Sequence, residues 1–178
     1  MGGDDAPDIV VEGAALARVR FPDVRFILFG DKKRIAPLVE KHKKLKNSVT
    51  IYHTDDAVSS EERPTVALRQ GRNSSMQLAI NAVNAGEAAG IVSAGNTGAL
   101  MAMAKISLKM LPGIDRPAIA AICPTKVGES VMLDLGANVE GNAENLVQFG
   151  MLGAAFARTV FGKEQPTVGL LNVGAVEV

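Results

Sequence analysis

Tryptophan is absent from this 178-residue chain, which has one tyrosine, two histidines and a single cysteine, Cys123. One cysteine excludes an internal disulfide framework and a cysteine-based zinc cluster. An excess of either charge is lacking too, because 19 basic residues meet 19 acidic ones for a formal net charge of zero. A nucleic-acid-binding chain is expected to carry a clear basic excess, so nucleic acid is not a predicted partner. Long apolar runs are missing as well. No stretch approaches the ~18 residues that a membrane-spanning helix needs, and the longest candidate, Ala99 to Ala104, meets Lys105 at once. The opening Met1-Gly2-Gly3-Asp4-Asp5 is acidic where a signal peptide is basic and then apolar. Together these absences predict a cytoplasmic chain.

What is present points to a folded α/β protein. Hydrophobic residues make up 47% and charged residues 21%, which excludes disorder. The length fits a single domain spanning 1–178. Apolar periodicity predicts helices over 9–19, 32–43, 74–86, 96–111 and 142–161, with a weaker helical signal from Glu61 to Met76. Strands are predicted over 24–29, 49–53, 91–94, 118–123, 131–135 and 168–173. Alternating strands and helices imply a largely parallel sheet with helices on both faces. The loop Pro124 to Ser130 is too short for a helical crossover, so its two strands form an antiparallel hairpin or leave the main sheet. A glycine-rich loop opens the chain with no strand before it, and the chain stops just after a strand, so both ends are expected to be cut.

In parallel α/β sheets, ligands bind where strands lead into helix N-termini. Three such loops stand out. Ser93-Ala94-Gly95-Asn96-Thr97-Gly98-Ala99 leaves one predicted strand and opens a helix. Its glycines allow close backbone approach, and free N–H groups beside a capping Asn96 or Thr97 suit phosphate or an oxyanion. A tight turn with an ordinary helix cap fits the same residues. Leu133-Asp134-Leu135-Gly136-Ala137-Asn138 places Asp134 in an apolar run, where an unpaired carboxylate is costly. Asp134 is therefore paired, hydrogen-bonded to backbone or used in chemistry. Leu170-Leu171-Asn172-Val173-Gly174 puts Asn172 in a similar setting. Lesser candidates are Cys123 as a nucleophile, and His53 beside Thr54-Asp55-Asp56 as a metal ligand. The basic stretch Lys32 to Lys46 reads as a solvated face or a dock for an acidic partner.

Read in order, Met1-Gly2-Gly3-Asp4, Ser74-Ser75-Met76, the 93–99 loop with Leu100, Arg116-Pro117-Ala118, the 133–138 loop and Leu170 to Gly174 resemble one family. It is the PlsX family of bacterial phosphate acyltransferases, which are acyl-ACP:phosphate transacylases of phospholipid synthesis. The resemblance implies a Rossmann-like α/β/α sandwich similar to the isocitrate and isopropylmalate dehydrogenases, incomplete here. It also implies transfer of a fatty acyl group from acyl carrier protein to inorganic phosphate, by a cytoplasmic homodimer peripherally associated with the membrane. Family members have a strand ahead of the Met-Gly-Gly-Asp motif and a further portion, opening with a Lys-Gly, after the last motif. The chain is accordingly expected to be a fragment, self-associating and inactive when made alone.

For the reaction so implied, the leading hypothesis puts phosphate on Gly95, Asn96, Thr97 and Gly98, with Asn96 a catalytic oxyanion donor. Asn138 or Asn172 donates to acyl or phosphate oxygens, Asp134 orients them, and Gly3, Asp4, Ser74 and Ser75 are further substrate contacts. Neither a metal nor a cofactor is expected. Two alternatives are a nicotinamide-dependent dehydrogenase of related fold, for which no arginine cluster is seen, and a non-catalytic docking module for acyl carrier protein.

Overall fold

The structure, a computed structural model, describes residues 1–136, 138 and 141–171. The chain forms two compact units, Met1–Lys109 and Met110–Val178. Asn172 lies outside the described residues.

In the first unit, α1 (Asp8–Arg20) leads to β1 (Phe26–Gly30), α2 (Lys32–Glu40), α3 (Lys43–Lys46) and β2 (Val49–His53). β1 and β2 pair in parallel, with Phe26 opposite Val49 and Gly30 opposite His53. Parallel pairing requires the chain to cross over between the strands, and α2 with α3 makes that crossover. Asp31 caps α2 by accepting from the Lys33 N–H at 2.8 Å. The helix expected to run through Lys43 breaks at Lys41–His42 instead. The break lets Leu45, fully shielded from solvent, join Val11, Leu28, Ile35 and Val39 in one core.

The rest of the unit is helical: α4 (Pro64–Gln70), a 3₁₀ turn (Gly71–Asn73), α5 (Ser75–Asn84) and α6 (Thr97–Leu108). Pro64 occupies the first turn of α4, where its missing N–H costs nothing. A second core gathers Ala67, Met76, Ile80, Ala99 and Met103 from these elements, with Val58 from the loop after β2. Met103, in α6, is thereby packing material.

The expected strand 91–94 is not formed. Val92 is 99% exposed. A strand exists only through hydrogen bonds to a neighbour, and a cavity of about 90 Å³ is lined both by Leu28 and Phe29 of β1 and by Ile91 and Ser93. The segment faces β1 across that space and is not paired to it.

In the second unit, β3 (Ala121–Thr125) and β4 (Gly128–Met132) make the expected antiparallel hairpin, with Cys123 opposite Ser130. Its turn is tighter than the sequence suggests, because pairing continues to Thr125 and Gly128. The long helix α7 (Ala143–Phe161) starts with a reciprocal cap between Asn142 and Asn145 and ends at Gly162 in the left-handed conformation. Residues 168–171 of the expected final strand are not a strand, and Leu170 and Leu171 are largely exposed. These apolar side chains satisfy the pattern for a buried strand, but no neighbouring strand among the described residues pairs with them. No helix among the described residues is long and apolar enough to cross a membrane.

Candidate active site

Three of the motif segments meet in the first unit. The Ser75 hydroxyl donates to the Met1 carbonyl at 3.2 Å. Gly3, with φ +96°, lies so close to the 94–95 backbone that an added Cβ would come 2.6 Å from the Ala94 carbonyl oxygen. Only glycine accommodates both the positive φ and that approach. Gly95 in turn packs against the Met76 methyl and Gly2. The Gly-Gly opening, the Ser-Ser-Met turn and the 93–98 loop are therefore one structure, although about seventy positions separate its first two parts. Burial of the Met1 amino group, with Arg34 contributing, holds it below its ordinary pKa.

Asn96 organises the loop. Its Oδ1 accepts from the Ala99 N–H at 2.9 Å, which caps α6. Its Nδ2 donates to the carbonyls of Ser59, Ser60 and Glu62 at 3.1, 3.1 and 2.8 Å. The side chain is thus fully engaged in holding the 59–62 segment against the loop. The sequence carries no sign of that partner, since Ser59 to Glu62 belongs to no motif. Beyond Asn96 the N–H groups of Thr97 and Gly98, the first two of α6, have no acceptor among the described residues. Both residues are exposed. Free N–H groups at the start of a twelve-residue helix, with the positive end of its dipole, are chemically suited to accept an anion.

Ser74 and Ser75 have positions of their own. Ser74 is buried, donates to the Gly71 carbonyl at 2.6 Å and accepts from the Gln77 N–H at 3.3 Å, so it caps α5. Asp4 is exposed.

The second unit holds Asp134 and Asn138. Asp134 Oδ1 accepts from the Ile119 N–H at 2.9 Å. Its Oδ2 accepts from the Asn138 backbone N–H at 2.8 Å and from Asn138 Nδ2 at 2.7 Å. Asn138 Nδ2 also donates to the Pro117 carbonyl at 3.1 Å. The carboxylate therefore ties Asn138 to the 117–119 stretch, with both of its oxygens accepting hydrogen bonds. Cys123 sits on β3 with its Sγ 3.1 Å from Met132 Sδ. His53 Nδ1 accepts from the Lys32 N–H, and its Nε2 lies 3.7 Å from Asp55. Asp31, His53 and Asp55 each bring one ligand atom within 4.8 Å of the others, with His53 and Asp55 exposed.

The whole chain, residues 1–178, matches the family model described as fatty acid synthesis protein. The chain belongs to that family. It is similar to proteins named phosphate acyltransferase: 62% identical to that of Rhodospirillum rubrum over 98% of this chain and 50% of the relative. To the Rhodospirillum centenum protein it is 63% identical over 99% of this chain and 50% of the relative. The Paramagnetospirillum magneticum protein is 58% identical over all of this chain and 51% of its own length. The chain spans about half the length of the curated relatives it matches.

Proposed function

We propose that this chain carries the phosphate-binding part of an acyltransferase that moves a fatty acyl group from acyl carrier protein to inorganic phosphate. The supporting observation is the paired N–H surface of Thr97 and Gly98, open to solvent and rigidly backed by Asn96. Phosphate is already a nucleophile and a thioester already has a good leaving group. The protein has therefore to hold phosphate against the carbonyl carbon and stabilise the oxyanion that develops. A phosphate oxygen attacks the carbonyl, the C–S bond breaks, and the thiolate leaves and takes up a proton. The products are an acyl phosphate and the free carrier thiol.

In this reading Gly95 gives the loop its close backbone approach, Thr97 and Gly98 donate to phosphate, and Asn96 is a positioning residue. Gly3 and Ser75 buttress the loop from behind, Ser74 holds the start of α5, and Asp4 is an exposed carboxylate at its edge. Asp134, Asn138 and Asn172 are proposed for the same reaction as polar groups set at the ends of apolar stretches, Asn138 or Asn172 donating to acyl or phosphate oxygens and Asp134 orienting them. Homodimerisation and a cytoplasmic or peripheral membrane location are proposed from the family resemblance.

The test is Thr97→Pro in a protein of the relatives' full length. Proline is favoured at the first position of a helix, and Asn96, at φ −58° and ψ 109°, already has the extended backbone that precedes proline. The substitution removes one donor and leaves the helix intact. Acyl-phosphate formation should fall by about 10²-fold, as when one oxyanion donor is lost. Unchanged turnover would remove phosphate from this loop.

A further inference from the structure

We propose that the basic face formed by α2 and α3, with the cleft between α3 and the end of α1, is the docking surface for an acidic carrier protein. The identity of the partner rests on the acyl-transfer reading above; the surface itself rests on the following observations.

From Lys32 to Lys46 the chain carries seven cations against one carboxylate, Glu40, for a net charge of +6 in a protein whose overall net charge is zero. All seven cations are exposed. Among the described residues only Lys46 has an ion-pair partner in this stretch, Glu40 at 2.6 Å. The lysines are displayed and not merely present. Leu45 is fully buried in the core beside Val11 and Val39, and this anchor turns Lys43, Lys44 and Lys46 outward. A net charge of +6 concentrated in fifteen residues creates a local positive potential, so an acidic partner that neutralises it is favoured.

The cleft adds shape. It encloses about 390 Å³ and is lined by Arg18, Lys43 and Lys44, with Val19, Pro22 and Asn47, and its lining contains no carboxylate. Val19 and Phe21 beside it are each about 60% exposed. An apolar patch rimmed by charge is the anatomy of a protein interface. A concave, cation-rimmed notch receives a side chain projecting from a folded partner.

The experiment titrates fluorescently labelled acyl carrier protein with the 178-residue chain and follows anisotropy. Binding is expected, weakening steeply as salt is raised past the point where the screening length falls below about 8 Å. The Lys43→Glu/Lys44→Glu variant should lose about tenfold or more in affinity, with Lys43→Gln/Lys44→Gln intermediate and Lys126→Glu on the β-hairpin unchanged. Circular dichroism melts confirm that each variant is folded. Absence of binding, or equal binding by wild type and the double variants, overturns the proposal. So does loss of binding in these variants only toward phosphatidylglycerol vesicles in a parallel sedimentation assay. The acyl-transfer reading is judged separately, by acyl-phosphate formation from a small-molecule thioester in the full-length protein. Charge-sensitive carrier binding without such turnover would leave the docking surface standing and remove the reaction.

Discussion

The Asn96 side-chain amide lies 2.8 Å from the Glu62 carbonyl, across 34 positions of sequence, while its oxygen caps α6. One residue therefore ties the exposed N–H groups of Thr97 and Gly98 to a segment that shares no motif with them. Asn96→Ala should cost about 1 kcal/mol for the lost cap. A further penalty of about 1 kcal/mol is expected from the half-exposed carbonyls it leaves to water. Urea unfolding monitored by circular dichroism reads this, and a variant as stable as the parent would show the bonds to be incidental. Thr97→Pro, in contrast, should shift stability by no more than about 0.5 kcal/mol, so the two variants separate a structural loss from a lost donor.

Gly3 and Gly13 make a matched pair. Gly3→Ala forces a Cβ to 2.6 Å from a backbone oxygen at φ +96° and should destabilise by about 1–3 kcal/mol. Gly13, in the middle of α1, has nothing within 4 Å of its Cβ position, and Gly13→Ala should stabilise by about 0.5–1 kcal/mol. Melting temperatures moving in opposite directions are the expected result; a neutral Gly3→Ala would mean that the 94–95 backbone yields easily.

Asp134→Asn should weaken the second unit by about 1.5–3 kcal/mol, because charge-assisted bonds are lost and an amide NH₂ is turned toward an N–H donor. Amide hydrogen exchange is the direct readout. The Ile119 and Asn138 amides should exchange faster in the variant while those of α7 stay protected.

Val92 at 99% exposed, Leu170 at 79% and Leu171 at 76% are apolar side chains facing solvent. The chain made alone is expected to self-associate, and Val92→Lys with Leu170→Lys should reduce that association. Sedimentation equilibrium over a range of concentrations would show it. A strictly monomeric parent would mean that these side chains are too scattered to form a sticky patch.

Some elements were legible in the residues because their causes are local. β2 falls where the apolar and β-branched run Val49 to His53 lies, Pro64 opens a helix, and Ser74, Asn96 and Asn142 each cap one, since a cap is a bond between residues two or three positions apart. The hairpin followed from a connection too short to cross over. The order of the motifs likewise pointed to the family. Residues 91–94 and 168–171 have the composition of strands and are not strands, because a strand is completed by a neighbour's backbone and composition cannot supply one. Asp134 was seen to need a partner, but Ile119 and Asn138 were decided by how the loops fold back. Which carbonyls take the Asn96 amide, and that Gly3 touches Ala94, are likewise tertiary facts: hydrogen bonds act over about 3 Å, and only the folded chain brings such distant residues that close.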